Sequence, residues 1–169
     1  MEIRKLTTED AESYYELRIE ALRNDPDAFA TRLEDALKRP VEETEKNLSS
    51  AEAVTFGAFI ENKLVGNVTL RREAIPKMNH RASVVAVYVT PHARGKGVAG
   101  RLMDKLISYA ENWRGLEQLH LMVVTENEKA KSLYIRHGFE IYGTELRSMK
   151  TEEKYIDEDL MVKFLPGAN

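Results

Sequence analysis

The chain has 169 residues, of which 43% are hydrophobic, with a formal net charge of −3 and no cysteine. That length and apolar content suit one domain with a real core, taken as residues 1–169. The charge balance offers no bulk attraction for nucleic acid, and the lack of thiols excludes disulfides, a thiolate metal site and a cysteine acyl intermediate.

Met1 to Leu6 reads as a first strand; it lacks the apolar stretch of a signal peptide. No later run approaches membrane length, so a cytoplasmic protein without membrane contact is expected. Thr8 is placed to cap a helix running to Asn24, with Tyr14, Leu17, Ala21 and Leu22 on its apolar side and Asn24-Asp25-Pro26 as its break. A polar second helix covers Val41 to Ser49, entered at Pro40. Ala53 to Ile60 and Leu64 to Leu70 are strand-like and joined at Glu61-Asn62-Lys63 as a hairpin. Arg71 to Arg81 is a longer loop. There follow strand 82–90, helix 97–113, strand 118–124, helix 127–137, strand 139–147 and strand 155–164. The order β-α-α-β-β-β-α-β-α-β-β predicts an α/β fold with a mixed central sheet of about six or seven strands and about four helices.

The most informative stretch is Arg94-Gly95-Lys96-Gly97-Val98-Ala99. It follows the apolar run Val84 to Val89 and a Pro91 turn, and opens a helix whose apolar stripe is Val98, Leu102, Leu106, Tyr109 and Trp113. A helix start carries backbone N–H groups without internal partners and the positive end of the dipole, a natural seat for a pyrophosphate. Gly95 and Gly97 let the backbone turn sharply and approach a phosphate, while Arg94 and Lys96 bring charge. An ATP loop is disfavoured, because Lys96 precedes Gly97 and no Ser or Thr follows. A dinucleotide fingerprint is formally met by Gly95-x-Gly97-x-x-Gly100 with Glu126 downstream. Too few strand–helix units remain after it for a mononucleotide-binding half.

A second pattern follows the strand Leu119 to Val124: Asn127, Ala130, Leu133, Tyr134, Gly138 and Phe139. Asn127 suits a helix N-cap, Ala130, Leu133 and Tyr134 share a face, and Gly138 suits the left-handed residue that ends a helix. R-x-x-G-x-[GA] at Arg94–Ala99, followed by N-x-x-A-x-x-L-Y-x-x-x-G-F at Asn127–Phe139, resembles the GNAT acetyltransferase superfamily. The resemblance covers residues 84–165 well and the N-terminal half by topology.

The resemblance implies acetyl-coenzyme A as co-substrate, with its pantetheine arm between two splayed parallel strands, and no metal. Backbone groups of Val87 and Val89 would meet the pantetheine amides. The N–H groups from Gly95 through Val98 and Ala99 to Gly100 would hold the pyrophosphate, with Arg94 and Lys96 beside it. Asn127 would contact the pantetheine side. The Val89 N–H would face the thioester carbonyl, and Tyr134 would protonate the departing thiolate. The strand Ser83 to Val89 holds no acidic residue, unlike some members, so a water relay ending at Glu73, His80 or His120 is the expected route for the amine proton.

The acceptor is expected to be the primary amine of a small molecule. A protein N-terminus or lysine, and a non-catalytic acyl-coenzyme A sensor, are the other readings. Asp25, Asp27, Glu34, Asp35, Glu152, Glu153, Asp157, Glu158 and Asp159 fall in acceptor-side segments and read chiefly as ordinary surface, with attraction of a cationic amine as the competing view. A homodimer through a strand edge stays open.

Overall fold

The computed structural model describes residues 1–167; the last two residues of the expected 1–169 domain lie outside the described range. In chain order the elements are β1 (Glu2–Lys5), α1 (Ala11–Asn24), α2 (Leu33–Leu37), α3 (Val41–Leu48), β2 (Ala53–Ile60), β3 (Lys63–Arg72), β4 (Arg81–Val89), α4 (Val98–Glu111), β5 (Gln118–Val124), α5 (Glu128–Arg136), β6 (Glu140–Lys150) and β7 (Tyr155–Phe164). The strands form one sheet in the order β1-β2-β3-β4-β5-β7-β6. All neighbours pair antiparallel except β4 and β5, which are parallel. The expected α/β architecture is therefore present, with α2 as an additional short helix.

Helix α4 buries Val98, Leu102, Met103, Leu106 and Ala110. These join Val54, Phe56, Val68, Leu70, Leu119, Leu121, Val123, Tyr134 and Phe139 in the main core. Leu17 and Ala21 of α1 pack on Tyr88, and Leu6, Ala11 and Leu48 form a further cluster. Tyr109, expected on the apolar stripe of α4, lies at the rim and is 38% exposed. It makes edge-to-face contacts with Phe56 and Trp113.

Two local expectations change. The residues Thr8–Asp10 form a 3-10 turn rather than the first turn of α1. Its cap is Thr7, whose N–H donates to Asp10 at 2.9 Å, because Asp10 stands three residues on and can reach back. Strand β6 runs to Lys150, three residues beyond expectation, through an irregularity at Arg147 (φ +56°). The β2–β3 hairpin matches its expected position: Ile60 pairs with Lys63, and Glu61 and Asn62 both take positive φ (50° and 62°). That two-residue turn suits the twist of the strands it joins.

The decisive local feature is in β4. Asn67 pairs with Tyr88 but Thr69 pairs with Val85, so β4 carries one more residue than β3 between those pairs. Ala86 absorbs it at φ +54°, and the buried Asn67 amide donates to the Ala86 carbonyl. Side chains alternate along a strand, so one extra residue inverts which face each later side chain occupies. Ala82 and Val84 face the main core before the bulge; Val89 faces it afterwards, while Tyr88 turns to α1.

Candidate functional site

Strands β4 and β5 pair only at Arg81–Ser83 with Gln118–His120. Beyond that they part, and β5 keeps its other neighbour, β7, along its whole length. The resulting cleft has a volume of about 1660 Å³ and is lined by Val87, Val89, Gly95, Gly97, Val98, Ala99, Gly100, Asn127 and Tyr134 among others. The expected backbone and aromatic positions thus border one space. Lys96 is exposed and does not line it.

Backbone groups of β4 are available in the gap. Thr90 donates its N–H to Val65 O on the β3 side at 2.9 Å. Successive residues aim their peptide groups in opposite directions, so the Val89 N–H points away from β3, and so do the groups of Val87. The Val89 carbonyl is already taken, accepting from Arg94 Nε at 2.8 Å.

Arg94 also lines the cleft. Its guanidinium also donates to Asp25 at 2.6 Å and lies 5.5 Å from the centre of the Tyr88 ring. Instead of reaching forward to the helix start, it clasps the end of β4 to the end of α1. The reason is geometric: the Pro91–Ala93 turn folds the side chain back over the strand it follows.

The loop after it has the form of an anion seat. Gly95 and Gly97 both sit at φ +76°, and Gly97 is the residue preceding α4. A Cβ at either position would meet nothing within 4 Å, so the left-handed backbone is what demands glycine there. The first N–H groups of α4 have no helical partner and open onto the cleft. Gly100 is right-handed and also lines the cleft; a Cβ there would meet only the His137 ring at 4.0 Å.

Across the cleft, Asn127 caps α5 as expected, accepting from the Ala130 N–H at 3.1 Å, which leaves its amide N–H groups free. Tyr134, 6% exposed, packs edge-to-face on Phe139. Burial pushes its phenol up to about 12. Gly138 takes φ +84° after the helix end.

The three candidate bases separate. Glu73 and His120 line the cleft, whereas His80 does not. His120 points from β5 opposite to Leu119 and Leu121, which are buried; its ring contacts Gln118 Oε1 at 3.0 Å and lies edge-to-face with Tyr142. Burial, then the positive charge of Arg81 and His80, lowers its pKa, while Glu73 opposes the shift. The imidazole is neutral near pH 7 and can accept a proton.

The acidic residues expected at the surface are mostly engaged. Asp25 holds Arg94, Asp27 meets Lys154 at 2.8 Å, and Asp35 meets Arg32 at 3.0 Å. Asp157 accepts from the Arg147 N–H at 2.7 Å and Glu158 from Ser148 at 2.5 Å. Asp159 is not a surface residue: it is 4% exposed and accepts from Thr144 at 2.8 Å, with Lys131 at 3.5 Å. β7 runs between β5 and β6, so alternate residues of this acidic run must turn inward. Sequence reasoning also missed Arg18, Asn67 and Tyr88. Tyr88 donates to Glu20 and accepts from Asn24, each at 2.9 Å. Only Tyr88 carried a signal, as a polar aromatic inside an apolar strand.

Two curated relatives match part of this chain. The L-amino acid N-acetyltransferase of Escherichia coli (strain K12) is 29% identical over 106 residues, 63% of this chain and 65% of that protein. The streptothricin acetyltransferase of Escherichia coli is 34% identical over 116 residues, 67% of this chain and 62% of that one. The chain thus spans less than two thirds of the length of either relative. Among solved structures, an acetyltransferase of the GNAT family from Streptococcus pneumoniae superposes with a TM-score of 0.86 at 28% identity, covering 97% of this chain and 98% of that one. The model of the acetyltransferase (GNAT) family matches residues 11–139, a span that holds the glycine loop, the parting strands and the Asn127–Phe139 pattern, and the chain belongs to that family.

Proposed function

We propose that this protein transfers the acetyl group of acetyl-coenzyme A to the primary amine of a small molecule by direct attack. The observation that carries the reading is the three-residue pairing of β4 with β5 followed by their separation, which opens a gap beside the start of α4. The relatives named for an L-amino acid and for streptothricin support a small-molecule acceptor over a protein one.

In this reading the N–H groups from Gly95 to Gly100 hold the pyrophosphate, with exposed Lys96 adding charge from outside. Arg94 fixes the end of β4 rather than gripping a phosphate. The pantetheine amides meet the backbone of Val87, the free N–H of Val89 faces the thioester carbonyl, and the Asn127 amide supports the opposite side. The amine nitrogen attacks the thioester carbonyl carbon, whose oxygen gains charge opposite the Val89 N–H. As the carbon–sulfur bond breaks, the Tyr134 hydroxyl donates a hydrogen bond to the departing thiolate. The proton lost by the amine passes through water to neutral His120, with Glu73 as the other cleft-lining acceptor.

Titration calorimetry with coenzyme A and NAD, followed by thiol release from acetyl-coenzyme A over a panel of amines, tests this. Coenzyme A should bind, NAD should not, and at least one small amine should accept the acetyl group. Binding without turnover on any amine or N-terminal peptide would leave a sensor, not an enzyme.

A further inference from the structure

We propose that the acceptor amine carries a carboxylate, and that Arg18 of α1 binds it in the cleft; this rests on the acetyltransferase reading and adds the acceptor class.

Several guanidiniums of the chain have polar partners. Arg4 meets Asp10 at 2.7 Å, Arg32 meets Asp35 at 3.0 Å, Arg39 meets Glu43 at 3.8 Å and Arg94 meets Asp25 at 2.6 Å. Arg72 donates to the carbonyls of Asn79 and Arg114 at 2.6 and 2.9 Å. Arg18 is half-buried and lines the cleft, yet among the described residues no carboxylate or carbonyl lies within its hydrogen-bond reach. Its one close aromatic contact is Phe29, whose ring centre lies 4.7 Å from the guanidinium carbon.

The neighbourhood does not neutralise it. The charged or titratable groups that influence it are the Tyr14 phenol and the Arg39 cation, neither an anion near pH 7. Of the cleft-lining carboxylates, Asp25, Asp27, Asp157 and Glu158 have partners already; Glu73 and Glu126 have none among the described residues, but neither is within hydrogen-bond reach of Arg18 or among the groups that influence it. A guanidinium withdrawn from water without a counter-ion is costly to keep unless an anion arrives. Stacking on Phe29 fixes the plane of its fork, and the fork matches a carboxylate through two parallel hydrogen bonds. Arg71, Arg81 and Arg136 also line the cleft without a side-chain partner among the described residues, but none of them stacks on an aromatic ring; one stacked fork matches a monoanionic carboxylate better than a dianionic phosphate. Arg18 stacks on Phe29, directly after the Pro26–Ala28 turn, whose Asp27 meets Lys154 between β6 and β7, so it stands beside the acceptor-side segments.

The test compares free amino acids with their carboxamides and with the corresponding decarboxylated amines. In the wild-type protein kcat/KM for the acid should exceed that for the amide by ~10–100-fold, the range of a hydrogen bond to a charged group. Arg18→Met should bring that ratio to within about threefold of unity, through KM more than kcat, and Arg18→Lys should restore part of it. Unchanged coenzyme A affinity by calorimetry in both variants shows that they are folded. Acetylation of amides or polyamines in preference to acids, or an Arg18→Met variant that keeps the acid preference, overturns the assignment while leaving the acetyltransferase reading intact. Failure to acetylate any amine defeats that reading instead.

Discussion

Replacing Tyr134 with phenylalanine separates two ways a phenol can help a thiolate leave. Burial raises the Tyr134 pKa to about 12. A coenzyme A thiol is comparable to a cysteine at about 8.5, so complete proton transfer from this phenol is uphill by roughly 3.5 units, or ~5 kcal/mol. A hydrogen bond from the phenol to the developing thiolate asks for no such transfer and is worth ~1.5–3 kcal/mol. Tyr134→Phe should therefore lower kcat by ~10–160-fold, with little change in coenzyme A affinity. The variant keeps the ring against Phe139, so its fold should be intact. The assay is thiol release under saturating substrates from about pH 7 to 10, where both proteins should give profiles of the same shape because the phenol stays protonated throughout. A kcat within about threefold of wild type would remove Tyr134 from the reaction. A loss beyond ~10³, or a wild-type decline near pH 9 that the variant lacks, would mean that the phenol does transfer its proton and that the reasoning from burial fails.

Three further outcomes follow from the same geometry. His120→Gln should lower kcat/KM by ~10–100-fold, without moving the rise in rate that tracks amine deprotonation, since a lowered imidazole pKa puts its own titration below about 6.5; an unaltered pH–rate profile and rate would leave the proton route to Glu73 or bulk water. Gly97→Ala should cost ~1–2 kcal/mol of stability through its left-handed backbone and weaken coenzyme A binding, whereas Gly100→Ala should be neutral to ~1 kcal/mol stabilising yet still weaken binding; thermal melts and calorimetry read both, and undiminished binding in both would take the pyrophosphate away from this loop. Arg4 holds the Asp10 carboxyl below the usual carboxylate range, chiefly by their hydrogen bond, against the opposing effect of burial. Its stabilisation is complete above about pH 4 and is lost as pH falls through the lowered value, so urea midpoints of Arg4→Met should show a shallower acid decline than wild type.

The parts legible in the sequence are those fixed by local chemistry. Gly95 and Gly97 could be placed because positive φ favours glycine, Asn127 because it caps three residues ahead, and α4 because its stripe repeats over several turns. The five residues of α2, Leu33–Leu37, are too few to show a helical period. The Ala86 bulge leaves no mark because an alanine, not a glycine, takes the positive φ, and its support comes from Asn67, nineteen positions away. Arg94 was assigned by its neighbours in sequence, but its partner Asp25 is 69 residues distant. Arg18 shows the same limit from the other side: that it lacks a counter-ion is visible only when every carboxylate around it has been located.

The surplus residue in β4 makes the protein unusually intolerant of a straightened ladder at that point. Were the bulge ironed out with all its residues kept, β4 would slide one position along β3 beyond Val85 and would still pair. Tyr88 would then rotate into the greasy interior with an unmatched hydroxyl, while Val89 would swing outward and its peptide would turn toward β3. Such a slip would leave a folded sheet that has lost the amide opening into the gap, so one kinked peptide here matters more than the side chains around it.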